Sequence, residues 1–235
     1  MKYLLGCLLA AVLGLVPLVA GANDADARFH AIYSQEWAWR TGQSGISSSG
    51  EIQPGDGRLD SVDAATQQAR LERWQQVLKD LDAIDLQALS PGERVNFEVY
   101  RAQIANLLAD QRFEIWQMPF NSDSSFWGDI SYQLHGDHLR TVDDYQRYLD
   151  RLGQIPAYFD QQIANMRAGL KRGFSVPRAV LDGRDVSIAA VADLADPTDS
   201  SFYAPFKHLP DSIPDDRVCK LLENKLARVS VGCDR

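Results

Sequence analysis

Apolar side chains recur at steps of three and four residues along most of this chain, which is the spacing of one face of an α-helix. No stretch alternates apolar and polar residues between hairpin turns, and no internal repeat is found. We therefore predict an all-α fold, built mainly of antiparallel helical hairpins. The predicted helices span residues 24–40, 62–84, 91–116, 141–152, 156–172, 178–194 and 214–229.

Turn and capping residues mark where these helices begin and end. A serine or threonine followed three residues later by an acidic residue is a capping box, and two such pairs open helices. Pro156 removes an amide donor, so the long helical stretch over 141–172 is expected to kink or restart there. Adjacent carboxylates at 143–144 and 215–216 are expected to be helix caps rather than acid and base pairs. The other expected boundaries are Gly42 as a stop, Ser61 or Asp60 as a cap, Ser90 with Glu93, Thr141 with Asp144, and Gly173 as a stop.

The first 22 residues have the features of a secretory signal peptide. Lys2 precedes an uncharged apolar run, and the small residues at 20–22 form a cleavage site, so the mature chain is expected to begin at Asn23. The alternative is an uncleaved membrane anchor, because the run is almost long enough to span a bilayer. Pro17 and the small residues favour cleavage. We therefore expect a periplasmic or secreted protein without stable membrane insertion.

Residues 23–235 are expected to form one helical domain that includes a flexible connection over 41–60, where Gly and Ser dominate. The formal net charge of the 235 residues is -8 and no basic run occurs, which argues against a nucleic-acid-binding protein. Cys219 and Cys233 remain after signal cleavage. An exported chain permits a disulfide between them, and the sequence leaves open whether they pair.

His135 and His138 are the only histidines that lie close together in the sequence. On a helix, a step of three would place both imidazoles on one face, where Asp137 or Asp129 could join them around a metal ion. Gly136 weakens such a helix, so we favour surface or capping histidines. The zinc-protease motif His-Glu-x-x-His does not occur, nor does Gly-x-Ser-x-Gly or Gly-x-Gly-x-x-Gly. A serine nucleophile and a nucleotide site therefore have no motif in their favour.

Aromatic side chains are dense between Trp116 and Trp127, in a stretch that Pro119 and Gly128 mark as a loop. Aromatic residues on a loop either fill the core or line a cleft, and the sequence does not separate the two. We favour the core and keep the cleft as the alternative. The residues that would line a cleft are Phe120, Asn121, Phe126 and Trp127.

Residues 141–180 and 201–206 resemble the bacterial domain of unknown function eight-eight-five. Residues 36–40 also resemble the first helix of that family. Members look like zinc metallopeptidases, so the resemblance implies a helical, peptidase-like protein. The residues that carry it are Asp144, Tyr145, Tyr148, Leu149, Arg151, Leu152, Pro156, Ile163, Met166, Arg167, Gly169, Gly173 and Pro177.

The resemblance is to the amino-terminal portion of a protein more than twice as long. In the family, a zinc motif of the type His-Glu-x-x-x-Gly-His and a distal glutamate lie in the later half. The resemblance therefore implies zinc only in full-length members, and no catalytic, cofactor-binding or metal-binding residue in this chain. Beyond about Asp216 the likeness fades, which we interpret as a truncation or a frameshift.

Two functions are compatible with these features. The first is the amino-terminal helical portion of an exported zinc-metallopeptidase-like protein, inactive by itself, whose partner is the missing carboxy-terminal half or a peptide substrate. The alternative is a self-sufficient periplasmic helical module that binds a peptide or protein near Trp127. The first predicts an exposed apolar face, and the alternative predicts cooperative unfolding without a large apolar patch.

Overall fold

The structure is a computed structural model that describes residues 20–44, 58–134, 139–214, 217 and 220. Within these ranges the secondary structure is helical, and the only bridge between extended residues joins Phe120 and Ser125. The predicted all-α class is therefore confirmed. The helices are α1 (Ala20–Ser44), α2 (Ala64–Asp82), α3 (Pro91–Arg112), α4 (Phe126–Gln133), α5 (Val142–Leu152), α6 (Ile155–Lys171), α7 (Arg178–Leu181), α8 (Arg184–Ala192) and α9 (Ala204–Lys207), with 3₁₀ turns at Leu86–Ala88, Ile115–Gln117 and Pro197–Asp199.

Helices α1, α2 and α3 enclose the first of two hydrophobic cores. Helix α2 runs antiparallel to α1, because Arg70 contacts Gln43 while Trp74, one turn further along α2, contacts Glu36. The apolar stripes predicted from the sequence form the interior. Its buried members are Phe29, Trp74, Val77, Leu81, Ile84, Leu89, Phe97, Tyr100, Ile104 and Leu108.

Helix α3 runs parallel to α1. The backbone N–H of Ser90 donates to the carboxylate of Asp26 at 3.0 Å, and the hydroxyl of Tyr100 donates to Glu36 at 2.9 Å. Both contacts join residues that are 64 positions apart, so the two helices keep the same register from one contact to the next.

The second core lies around α4 and α5. The hydroxyl oxygen of Tyr148 lies 2.9 Å from the carbonyl oxygen of Leu134 and 2.8 Å from that of Phe202, and its single proton is shared between these two acceptors. These contacts join α5 to the end of α4 and to the segment before α9. The buried members of this core are Ile130, Leu134, Leu139, Tyr145, Tyr148, Leu149 and Ile213.

Helix α6 fixes the segment that leads into α2. The side chain of Gln154 accepts the N–H of Leu59 at 3.0 Å, and that of Gln161 accepts the N–H of Val62 at 2.8 Å. The amide group of Asn165 donates to the carbonyl of Val62 at 2.7 Å. Two side chains of α6 and that of its N-cap, Gln154, thus bind the backbone of an extended segment and fix where α2 begins.

At its carboxyl end, α6 packs closely on the 3₁₀ turn Ile115–Gln117. A Cβ atom at Gly169 would lie 2.8 Å from the carbonyl oxygen of Phe174 and 2.9 Å from that of Gln117. Arg172 donates to the side-chain oxygen of Gln117 at 2.5 Å and to the carbonyl of Phe113 at 2.9 Å. Glycine is therefore the residue that allows this approach.

Two boundaries predicted for the first helices are wrong. Helix α1 continues through Gly42, because Gly42 does not adopt the left-handed backbone with which glycine ends a helix. The cap of α2 is Asp63 rather than Ser61 or Asp60. Its carboxylate accepts a backbone N–H of the first turn at 2.7 Å.

The stretch after α3 also differs from the prediction. Helix α3 ends at Arg112, and the backbone turns at Glu114, which has a φ of 53°. The predicted aromatic loop contains α4, which Ser125 caps by accepting the N–H of Gly128 at 3.2 Å. The predicted helix over 178–194 is divided at Gly183, where a φ of 77° separates α7 from α8.

The capping and proline predictions near α5 and α6 are confirmed. Thr141 and Asp144 form a complete capping box. Of the two outcomes predicted at Pro156, the restart occurs, because α5 ends at Leu152 and α6 begins at Ile155. Ser90 precedes α3 as predicted but makes no side-chain capping bond.

Parts of the chain with predicted features fall outside the described residues. They include 1–19 of the predicted signal peptide, 45–57 of the predicted connection and most of the last predicted helix. Residues 41–44 of that connection belong to α1. Within the described ranges, no helix combines the length and the apolar character needed to cross a membrane.

Candidate functional site

Phe126, one of the residues predicted to line a cleft, is buried on α4. Its ring contacts those of Trp127 and Phe159 at centroid distances of 5.1 Å, and that of Tyr158 at 6.1 Å. Edge-to-face contacts of this kind are typical of a packed aromatic core. Phe126 therefore fills the interior between α4 and α6.

Phe120, Asn121 and Trp127, the other three, lie closer to the surface. The side-chain oxygen of Asn121 accepts the backbone N–H groups of the second and third residues after it, both at 2.9 Å, which closes a turn. The rings of Phe120 and Trp127 are 5.5 Å apart. The indole N–H of Trp127 donates to the hydroxyl of Ser187 at 2.9 Å, so this tryptophan attaches α8 to α4.

The weak metal candidates, His135 and His138, lie outside the described residues, as do Cys219 and Cys233. Their roles stay predictions. Among the residues that the structure describes, no group of three or more His, Cys, Asp or Glu side chains is arranged to hold a metal ion.

Among the described residues, the most deeply buried carboxylate is that of Glu36, whose side chain has no exposed surface. One of its oxygens accepts the indole N–H of Trp74 at 3.0 Å. The other accepts the Tyr100 hydroxyl and an Arg40 guanidinium N–H, both at 2.9 Å. Burial, followed by the nearby charge of Glu36, raises the pKa of Tyr100, which stays a neutral hydrogen-bond donor. This site joins three helices and is sealed from solvent, so its role is structural.

The sequence contained a signal for this site. Glu36 falls on the apolar stripe of α1, at helical spacing from Phe29 and Ile32. A carboxylate on a core-facing stripe must be paired, because an unpaired buried charge is costly. Its partners could not be read from the sequence, since Trp74 and Tyr100 are 38 and 64 residues away.

A second polar group lies where residues 58–63 meet α2 and α6. Asp60 and Arg70 form an ion pair at 3.8 Å. Burial raises the pKa of Asp60, although the charges of Arg70 and Arg151 oppose the shift. Burial also lowers the pKa of Arg70, which nevertheless remains charged at neutral pH.

A cavity of about 360 Å³ opens beside this group, between the start of α2, the turn Ile115–Gln117 and α6. It combines two carboxylates, two side-chain amides and one indole with small apolar residues. Such a mixture suits a small polar ligand or part of a peptide. The lining residues are Asp63, Ala64, Trp116, Asp160, Gln161, Ala164, Asn165 and Ala168.

Four large apolar side chains are exposed on the short helices α7 and α8. Helix α8 has no buried residue, and Val186 is 67% exposed. Leu181, Ile188 and Val191 are between 40% and 47% exposed. Val186 lies on a different side of the α8 axis from Ile188 and Val191, so the helix is apolar on more than one side. Helices of this composition are normally covered by other protein.

The chain was compared with protein families, curated proteins and solved structures. The family model described as "Bacterial protein of unknown function (DUF885)" matches residues 40–230, which is most of the chain. No curated protein and no solved structure matches.

Proposed function

The chain belongs to the DUF885 family of bacterial proteins of unknown function, and from this membership we propose that it is the helical amino-terminal portion of an exported zinc-metallopeptidase-like protein. On this proposal the chain packs against a zinc-bearing part and has no catalytic activity by itself. Zinc and the residues that bind it belong to full-length members, and a peptide is the substrate. Export to the periplasm or out of the cell follows from the predicted signal peptide.

The observation that carries this proposal is the exposed apolar surface of α7 and α8. Two contacts fix α8 on the body of the protein, from Trp127 to Ser187 and from Arg184 to the carbonyl of Ser122. Its valine and isoleucine side chains are thereby presented outward rather than packed inward. A fixed helix with an exposed apolar surface is expected where one portion of a larger helical protein packs against the remaining portion.

The test has a surface arm and an activity arm. We expect the chain to bind a hydrophobic dye, and the double variant Ile188→Ser, Val191→Ser to lose most of that binding. The matched control is Val95→Ser, Val99→Ser on α3, which removes two valines that are 61% and 67% exposed and should change dye binding little.

In the activity arm, the chain is assayed on a peptide mixture with added zinc, alone and with the remaining part of a full-length DUF885 protein. We expect peptide cleavage only when the two protein parts are combined. Zinc-dependent cleavage by the chain alone would contradict the proposal. So would the failure of the two parts to associate in sedimentation.

The second candidate function is a self-sufficient module that binds a separate peptide or protein. The ordered pair of Phe120 and Trp127 favours it, because both rings are held in place and remain partly exposed. This function predicts a monomer with a single cooperative thermal transition and little dye binding. The dye and sedimentation measurements therefore separate the two functions.

A further inference from the structure

The cavity beside α6 has unused hydrogen-bond acceptors. Asn165 is only 3% exposed, and it bonds through its amide nitrogen, which donates to the carbonyl of Val62. Its side-chain oxygen has no partner among the described residues. Gln67 does not line the cavity, but it contacts the same carbonyl and has a buried side-chain oxygen without a partner among the described residues. Buried amide oxygens normally accept a hydrogen bond.

The charged groups at the cavity are also acceptors. Asp160 is exposed, and among the described residues it makes no hydrogen bond or ion pair. Asp63 accepts bonds from Thr66 and Ser61. The Thr66 bond is the main cause that lowers the pKa of Asp63, so this carboxylate is anionic at neutral pH. The cavity thus has two carboxylates, and no cationic side chain lines it among the residues that the structure describes.

The rest of the lining suits a basic group on an apolar stem. The half-buried indole of Trp116 can contact a cation through its ring. Ala64, Ala164 and Ala168 leave room for methylene groups. The amide nitrogen of Gln161 is unused, because only its oxygen is bonded, to Val62 and Ser61. It can donate to a peptide carbonyl.

We propose that this cavity binds the basic side chain of a peptide, with the cation between Asp160 and Trp116 and a donor directed to the side-chain oxygen of Asn165. This inference goes beyond the packing role proposed above and does not depend on it. The same kind of recognition already occurs within the chain, where α6 binds the backbone of residues 59–62 through its amide side chains.

The test uses the full chain and N-acetyl-arginine amide, with the citrulline analogue as a neutral control of the same shape. We expect saturable binding, followed through the backbone amide resonances of α6, with a dissociation constant of about 1 mM or below. The citrulline analogue should bind at least about tenfold more weakly, because it lacks the charge. A lysine analogue that binds as well as the arginine compound would also agree with a site for basic side chains.

Two variants and one control assign the binding to this cavity. Asp160→Asn and Trp116→Leu should each weaken binding about fivefold. Glu98→Gln, which removes an exposed carboxylate at a second cavity lined by Leu81 and Arg101, should leave it unchanged. Thermal unfolding of each variant verifies that the fold is intact. Equal binding of the citrulline analogue, equal effects of Asp160→Asn and Glu98→Gln, or no binding at about 20 mM ligand would each overturn the proposal.

Discussion

The indole N–H of Trp74 donates a 3.0 Å hydrogen bond to the fully buried carboxylate of Glu36. This bond joins α2 to α1, and the bond from Tyr100 to the other oxygen of Glu36 joins α3 to the same point. Arg40 supplies the compensating positive charge from one turn along α1. A single carboxylate therefore determines how three helices meet.

The first prediction concerns Glu36→Gln, which keeps the shape of the side chain and removes its charge. The side-chain amide of the introduced glutamine must direct its N–H group at one of the donors that now bond to the Glu36 carboxylate. Arg40 also loses its charged partner. We expect the free energy of unfolding to fall by about 3 kcal/mol, the usual cost of breaking a buried ion pair. Urea unfolding measures this value. Glu98→Gln on the exposed side of α3 is the control, and a similar loss in both variants would show that Glu36 has no special role.

The second prediction concerns Gly169→Ala. The added methyl group would collide with two backbone carbonyl oxygens that lie within 2.9 Å of its position, and backbone atoms cannot move aside as a flexible side chain can. We expect a loss of about 1–3 kcal/mol in unfolding free energy. Gly92→Ala in the first turn of α3 meets nothing within 4 Å, so it should be neutral or slightly stabilising. If both variants have the same free energy of unfolding, α6 does not pack tightly on the turn Ile115–Gln117.

The third prediction concerns Asp144 and pH. Burial raises the pKa of Asp144, but hydrogen bonds from Arg140, Thr141 and Arg147 together outweigh burial and hold the pKa below its ordinary value of 3.8. Its carboxylate therefore contributes stability above the unfolded-state pKa, and this contribution is lost as the pH falls through the folded-state value.

Asp144→Asn should accordingly lower the unfolding free energy at pH 7 by about 0.5–2 kcal/mol, the usual effect of losing a cap. It should also make stability less dependent on pH below about 5. Unfolding curves at several pH values measure both effects. Asp143→Asn changes the same charge at an exposed neighbouring position, so a matching pH profile in that variant would refute the assignment to Asp144.

The fourth prediction concerns Tyr148→Phe. Without the hydroxyl, the carbonyls of Leu134 and Phe202 no longer have this donor. We therefore expect the free energy of unfolding to fall by about 1–2 kcal/mol. Burial raises the pKa of Tyr148, so its contribution is present below the unfolded-state pKa of about 10 and is lost as the pH rises above it. The variant should therefore lose less stability than the parent between about pH 9 and 11. Tyr33→Phe, at a residue that is 43% exposed, should change neither quantity.

Local chemistry explains which helix boundaries could be predicted. The box of Thr141 and Asp144 forms because both partners lie within one turn, and the bonds that Arg140 and Arg147 make to the same carboxylate do not displace it. At Ser90 the same sequence pattern has a different outcome. The Ser90 N–H donates to Asp26 of α1, and Glu93 pairs with His30 at 3.1 Å. Tertiary contacts from a distant helix thus replace a local motif that the sequence alone predicts.

The same distinction applies to the candidate sites. The sequence identified the aromatic stretch and Trp116 within it, but not the cavity, because Asp63 and Asn165 approach one another only when α6 binds residues 59–62. The sequence also placed Phe126 and Trp127 in a loop. They are instead the first two residues of the short helix α4, which directs their side chains to different sides. Phe126 points into the core, and Trp127 bonds to Ser187. Side-chain direction on a helix of eight residues depends on its cap, Ser125, which composition did not reveal.

The common offset of 64 residues between α1 and α3 also bears on how this protein can change during evolution. Substitutions along the exposed side of α1 leave the contacts of Asp26 and Glu36 in place. Inserting or deleting one residue between them would rotate one contact by about 100° relative to the other, since each residue of a helix turns by that angle. Both bonds could not then form together. Natural variants of this helix should therefore differ freely on its exposed side but keep the same length between these two positions.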